Sequence, residues 1–294
     1  MTAVAVRRRL PRTHAKAPGS RGWRRWPIHI ALVLLVVVWL VPSVGILVTS
    51  LRPPTSIAST GWWTILRHPD LTFGNYRAIF TSHQFARAFF NSLAIAVPAT
   101  IFPVAIAALA AYGFACLRFP GRDVMFVGVV ALMAVPIQMA FVPALHIFRL
   151  LHFGNSYYGI WVAHTAFGLP FAIFLLRSFF AQLPSEILDA AAIDGASRLR
   201  IFVSVVLPLS KAALASIGVL QFLWVWNDLL MALVFIPEDK LQPLTVTTAN
   251  LLGTYGQQFN ILSASAVILM ILPLAVFFSL QRHFVRGIVA GAVK

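Results

Sequence analysis

Between Ile28 and Leu51 the chain runs 24 residues without an Asp, Glu, Lys or Arg. In hydrocarbon there is no water to satisfy backbone N–H and C=O groups, so such a run must bond internally as a helix or pair in a closed barrel. About 20 apolar residues carry a helix across the hydrocarbon core. Five further runs qualify: Ser92–Leu117, Val124–Phe148, Tyr157–Leu176, Ala212–Ile236 and Ile261–Leu280. Their length and lack of alternation exclude strands. The expected fold class is an all-α polytopic membrane protein with six transmembrane helices.

Composition agrees, with 60% hydrophobic and 11% charged residues, where soluble domains carry about 25% charge. The formal net charge of +15 comes from Lys and Arg at the ends of apolar runs, not from a basic groove interleaved with aromatics. It therefore points to membrane orientation and not to nucleic acid. With the N-terminus inside, seventeen Lys and Arg fall on inner segments and six (Arg52, Arg67, Arg77, Arg87, Arg149, Lys240) on outer ones. The positive-inside rule then places both termini in the cytoplasm. The first run exceeds the 7–15 residues of a signal-peptide core, so it reads as a retained helix behind a basic tail near anionic lipid. A transit peptide is the alternative for that Arg-rich start. Cys116, the one cysteine, excludes an intramolecular disulfide and reads as a small buried residue.

Almost every run contains proline: Pro42, Pro98, Pro103, Pro136, Pro143, Pro170 and Pro273. Proline lacks an N–H and clashes with the preceding turn, so kinked helices are expected. The carbonyls it frees must be met by neighbours or by water in a cavity. His164 and Gln138 read as intramembrane polar groups; for His164 an interhelical hydrogen bond stands against substrate or proton handling. Trp62 and Trp63, in the outer segment "GWWTILRHPDLTFGNYRAIF", suit a membrane interface, as simple anchors or as substrate contacts.

The long polar interruption is "LPSEILDAAAIDGASRLRIFVSVVLPL", within the cytoplasmic loop Arg177–Lys211. Pro184 suits the first turn of a helix, with Glu186 and Asp189 near its positive end. Ala190, Ala191 and Ala192 favour helix and present no bulk. Gly195 can take positive φ and end that helix sharply. A second helix is expected over Ser197–Leu207, with Phe202, Val205, Val206 and Leu209 on one face. Pro208 is expected to end it and open the fifth span. Helix, sharp turn, helix beneath the bilayer reads as a docking element; the alternative is an amphipathic connector lying on lipid.

These residues resemble the EAA loop of ABC-importer permeases, close to E-A-A-x-x-D-G-A…F…LPL. Asp189, Ala190, Ala191, Asp194, Gly195, Ala196, Phe202, Leu207 and Pro208 match in order, with Asp189 in place of the leading Glu and one methylene shorter. "FLWVWNDLLMALVFI" resembles the W-N-D signature in the fifth span of carbohydrate-type permeases. "FNSLAIAV…AAYGFACLRFPGR" and the ending "QRHFVRGIVAGAVK" are similar to the smaller, six-helix maltose-type permease subunit. The resemblance runs from about Trp26 to Lys294. It implies the type I ABC-importer permease fold with a cytoplasmic coupling helix. Residues 1–26 would be a cytoplasmic tail, 27–281 the six-span domain with its coupling loop at 183–209, and 282–294 a second cytoplasmic tail.

It further implies a permease subunit of an ATP-driven, binding-protein-dependent sugar importer in a bacterial cytoplasmic membrane, forming half of the path. Its partners would be a second homologous permease, two copies of a cytoplasmic ATPase, an extracytoplasmic sugar-binding protein, the sugar and the lipid bilayer. Glu186, Asp189, Ala190, Ala191, Asp194, Gly195, Ala196, Phe202 and Pro208 would couple to the ATPase. Asp189 would meet a basic residue there, Gly195 would shape the turn, Phe202 would seat the loop, and the tail around Gly287–Lys294 would reach toward the ATPases. The "GWW" segment is similar to that of α-glucoside-type permeases.

Asp228 is the one acid inside a run, and a charge there costs at least about 2.5–3.5 kcal/mol, so it should face protein or water. It reads as a gate, a sugar contact or a packing group. Gln221, Trp224, Trp226 and Asn227 are the other candidate path residues, although Trp224 and Trp226 cannot both face one way at that spacing. A membrane enzyme is disfavoured: no H-E-x-x-H helix, Cys–His cluster, G-x-S-x-G elbow or phosphate-binding G-x-x-x-x-G-K-[ST] loop occurs. No metal site or cofactor is expected, and ATP hydrolysis falls to another chain. A secondary transporter or channel would leave more buried ionisable groups and inverted repeats.

Overall fold

The computed structural model describes residues 26–254 and 258–292, without the side chains of 253, 254 and 282–292. The basic tail before Trp26 and the side chains of the C-terminal tail lie outside the described residues. Among those described, every regular element is a helix. The chain forms two compact units that part between Gly45 and Ile46. The described part of the first belongs to one helix, α1 (Trp26–Ser50), which matches the first apolar run.

Four helices are long and apolar enough to cross a membrane: Trp26–Ser50, His83–Cys116, Tyr157–Phe180 and Phe259–Gln281. Two bent pairs raise the number to six when each pair counts as one span. After α1 come a short helix α2 (Pro54–Ser59), a 3-10 turn at Trp62–Leu66 and α3 (Gly74–Thr81). The second span joins α4 (His83–Ala96) to α5 (Pro98–Cys116), beginning nine residues before the expected Ser92.

The expected third span is not one helix. It divides into α6 (Arg122–Leu132) and α7 (Ile137–Leu150), which meet at 101°. Pro136 lacks the N–H that would continue the helix and biases Val135 away from helical dihedrals. α8 (Tyr157–Phe180) is the fourth span, its first turn capped by Ser156 Oγ accepting from the Gly159 N–H at 3.1 Å.

The loop beyond α8 holds α9 (Ser185–Ile193) and α10 (Arg198–Leu209), and α10 meets α11 (Lys211–Trp226) at 78°. A π turn at Phe202–Val206 interrupts α10. The wider turn shifts the register, so Phe202 and Val206 are buried while Leu209, expected on the same face, is 53% exposed. Pro208 does not end the helix as expected; it sits inside the last turn, and the break falls at Ser210.

The expected fifth span, Ala212–Ile236, is also broken. α11 stops at Trp226, and α12 (Leu230–Phe235) follows after Asn227–Leu229. Asn227 Nδ2 donates to the Leu223 carbonyl at 2.7 Å, and Asp228 Oδ2 accepts from the Ala232 N–H at 3.2 Å. Side chains that bond the nearby backbone in this way compete with the helical ladder. α13 (Leu244–Thr254) precedes α14 (Phe259–Ala292), whose helix continues past the expected end at Leu280.

The centre of the second unit is the contact of α5 with α8. Ala99, Pro103, Ala107 and Ala111 are buried at four-residue spacing on α5. Ile160, His164, Gly168, Ala172, Leu176 and Phe180 do the same on α8. Rows at that spacing form the ridges by which helices interlock, and small residues let membrane helices approach closely.

At the α1 end of this unit Arg52 is 1% exposed, a role that its sequence context does not announce. Its guanidinium donates to the Gly61 carbonyl at 2.8 Å and to Thr60 Oγ1 at 2.6 Å, wrapping the turn after α2. Asn75 Nδ2 donates to the Ser50 and Arg52 carbonyls, and Asn260 Nδ2 to Asn75 Oδ1 at 2.7 Å. One polar network thus joins the end of α1, α3 and the start of α14.

Candidate functional site

The elbow between α9 and α10 is closed by two local devices. The Ala196 N–H bonds the Ala191 carbonyl and the Gly195 N–H bonds the Ala192 carbonyl, both at 3.1 Å. That pair of bonds is the Schellman motif, which needs a left-handed residue after the helix. Gly195 supplies it with φ +80°. A Cβ at Gly195 would meet nothing within 4 Å, so the requirement is conformational and not one of space. Ser197 then starts α10, its Oγ accepting from the Arg200 N–H.

The elbow is held to the bundle from one side. Tyr112 of α5 donates its hydroxyl to the Arg198 carbonyl at 3.1 Å, and its ring lies 5.2 Å from that of Phe202. Phe202 and Val206 are buried with Tyr112, Leu176 and Phe180, and Ala191 and Ala196 are half-buried against the same cluster. The other side is open. Glu186, Asp189, Ala190, Asp194 and Gly195 are exposed, and Ile193 is 86% exposed. Among the described residues the three acids hold no ion pair or side-chain hydrogen bond. Glu186 lies in the first turn of α9, where the helix favours a negative charge; Asp189 lies a turn further on.

The five candidate path residues divide. Gln221 is buried, and its Nε2 donates to the Ala99 carbonyl at 3.2 Å. Pro103 stands four residues after Ala99 and cannot supply that bond. Trp226 repeats the arrangement: its Nε1 donates to the Leu269 carbonyl at 3.0 Å, four residues before Pro273. A third case comes from outside the candidates, Trp161 Nε1 to the Ala94 carbonyl at 2.9 Å, four residues before Pro98. The proline rule foresaw freed carbonyls but could not name their donors.

Trp224 turns the other way from Trp226. It packs edge-on against His164 at 5.4 Å and, with Gln221, Phe167 and Phe171, lines a mostly apolar cavity of about 300 Å³. Asn227 is exposed. Asp228, one residue before the N-cap Leu229, accepts from the Ala232 N–H in the first turn of α12, and its carbonyl accepts from Thr245 Oγ1 at 2.8 Å. With Trp226, Ser92 and His164 it borders a second cavity of about 10 Å³. His164 departs from the interhelical hydrogen bond expected of it: its Nδ1 is buried with no partner among the described residues. Gln138 is exposed beside the α6–α7 break.

Residues 103–290 match the family of the binding-protein-dependent transport system inner membrane component. The osmoprotective compounds uptake permease protein GgtD of Synechocystis sp. is 49% identical, over 92% of this chain and 93% of that protein. The alpha-glucoside transport system permease protein AglG of Rhizobium meliloti is 37% identical, over 94% of this chain and 99% of that one. The trehalose transport system permease protein SugB of Mycobacterium tuberculosis is 33% identical, over 94% and 99%. A chain of a bacterial ABC transporter that imports the acidic polysaccharide alginate superposes with a TM-score of 0.76 at 23% identity, covering 90% of this chain and 98% of that one.

Proposed function

Because this chain belongs to the family of the binding-protein-dependent transport system inner membrane component, we propose that its elbow at 183–209 is the handle through which a cytoplasmic ATPase drives import of an α-glucoside-type sugar. Both termini and the elbow face the cytoplasm in this reading, which the Lys and Arg distribution supports. A second, homologous permease completes the path, two ATPase copies supply the motion, and an extracytoplasmic binding protein delivers the sugar. The names of the relatives AglG and SugB support a sugar as cargo.

The observation that carries the reading is the two-sided build of the elbow. Its inner face is fixed to the bundle by Tyr112 and Phe202, while Glu186, Asp189, Asp194 and Ile193 are exposed without partners among the described residues. A cationic cleft on the ATPase would complement those acids, and the bulk-free Ala190 lets it come close. Force applied there passes through Tyr112 to α5 and through Phe202 to the α5–α8 core, so the spans rock as a body. The cavity at Trp224, with Phe167 and Phe171, offers aromatic side chains to a sugar crossing between the two permeases.

Uptake of a labelled glycoside panel by the whole complex, with and without Gly195→Pro, tests this. Pro cannot adopt φ +80°, so the elbow is lost while the spans stay intact. Uptake should vanish with the permease still present in the membrane at normal level. Undiminished uptake would overturn the coupling role.

A further inference from the structure

Where α5 and α8 end, the elbow does not close completely against them. Cys116 and Leu117, the end of α8 at Phe180, and the inner faces of α9 and α10 border an open groove of about 880 Å³. This is larger than the cavity beside Trp224, and its chemistry is different. Three arginines, Arg118, Arg122 and Arg198, line it together with one acid, Asp189. Arg122 is partly engaged by the exposed Asp123 at 2.9 Å. Arg118 and Arg198 have no carboxylate partner among the described residues. The rest of the wall is mixed: Leu117, Phe180, Leu188 on α9 and Ile201 on α10 supply its apolar part, and Ser185 and Ser197 stand among them.

We propose that this groove seats an anionic phospholipid, its phosphodiester on the Arg118–Arg198 rim and its glycerol and upper acyl carbons on the Leu188–Ile201 wall. The inference rests on the cytoplasmic placement of the elbow given above. Guanidinium groups bind phosphate oxygens in a forked, charge-assisted geometry, which suits this rim. The groove opens where two apolar spans end, so it stands at headgroup depth, and an inner leaflet is rich in anionic lipid. A free phosphate would satisfy the rim but not the apolar part of the wall; an amphiphile satisfies both. The position matters because the lipid would lie behind the coupling helix, on the side away from Glu186 and Asp194, and so would prop α9 against the ends of α5 and α8. It would stiffen the handle and leave Glu186, Asp194 and Ile193 free for the ATPase, with Asp189 bordering both the groove and that face.

The chain carries its own reporter, since Cys116 is the only cysteine and lines the groove. The whole complex is placed in nanodiscs of phosphatidylcholine alone or of phosphatidylcholine with phosphatidylglycerol. The rate at which a maleimide reacts with Cys116 is then followed on this chain's band. Anionic lipid should slow labelling several-fold, and Arg118→Gln with Arg198→Gln should abolish the difference. Arg149→Gln, a charge loss elsewhere, should leave it unchanged. Inorganic phosphate added to the phosphatidylcholine discs should protect weakly. Equal protection by phosphate would overturn the lipid assignment. Equally slow labelling in both lipids would show the groove filled by protein, and equally fast labelling would show it empty; either overturns the proposal. Sidedness is read separately in sealed vesicles with an impermeant maleimide. Labelling from the outer face would sink the orientation while leaving the lipid dependence to be judged by itself.

Discussion

Gln221 donates its side-chain N–H to the carbonyl of Ala99, 122 positions earlier, at the one place on α5 where Pro103 leaves an acceptor without its helical donor. The bond joins the second span to the fifth. It also explains Gly168 on α8, where a Cβ would fall 2.8 Å from Gln221 Nε2 and push the amide off its acceptor.

That arrangement is testable by a double-mutant cycle. Gln221→Leu should destabilise the solubilised complex by about 1 kcal/mol, the scale of an interhelical hydrogen bond in a membrane protein. In a Pro103→Ala background the backbone N–H returns to Ala99, and the same substitution should cost markedly less. Additive losses of thermal stability in the cycle would mean that Gln221 does not serve the freed carbonyl.

Gly168→Ala should lower stability through the same amide. Combined with Gln221→Leu, most of its effect should disappear, because the atoms that it strikes are gone. A full additional loss in the double variant would place the strain elsewhere.

At the elbow, conformation and size separate cleanly. Because open space surrounds Gly195, Gly195→Asn should retain more coupled uptake than Gly195→Ala: Asn tolerates the left-handed region, while Ala there costs about 1–2 kcal/mol. Uptake assays of the two variants side by side decide this. Ala outperforming Asn would contradict the backbone argument.

Asp228 is expected to act as a helix cap. Asp228→Asn keeps an oxygen for the Ala232 N–H, whereas Asp228→Ala loses it at a cost of about 0.5–2 kcal/mol. Hydrogen exchange at the Ala232 amide should therefore rise in the Ala variant and change little in the Asn variant. If instead both variants leave exchange unchanged and abolish uptake equally, the carboxylate works through its charge, as a gate would require.

The apolar runs made the long apolar helices legible, and Gly195 with its alanines made the elbow legible, because both depend on neighbours in sequence. The breaks were harder. A run of apolar residues reads the same whether the helix inside it is straight or turns by 101°, although Pro136 and the pair Asn227–Asp228 mark the two interruptions in hindsight. The π turn was invisible, and with it the rotation of Leu209 away from Phe202. Partners of freed carbonyls lie 43, 67 and 122 positions away, so only the assembled bundle can choose Trp226, Trp161 and Gln221. Trp226 and Gln221, read as candidate sugar contacts, each also bond a freed carbonyl, and Gln221 does so while lining the cavity beside Trp224.

Each of those three donors binds, from another helix, a carbonyl that a proline has freed. A change of helix shape at Pro98, Pro103 or Pro273 would strain a bond to a neighbouring helix, so these prolines are poorly placed to act as hinges. Articulation of the bundle is expected instead at the breaks at 133–136 and Ser210, which carry no such tie among the described residues, whereas 227–229 is tied to α13 by Thr245 Oγ1.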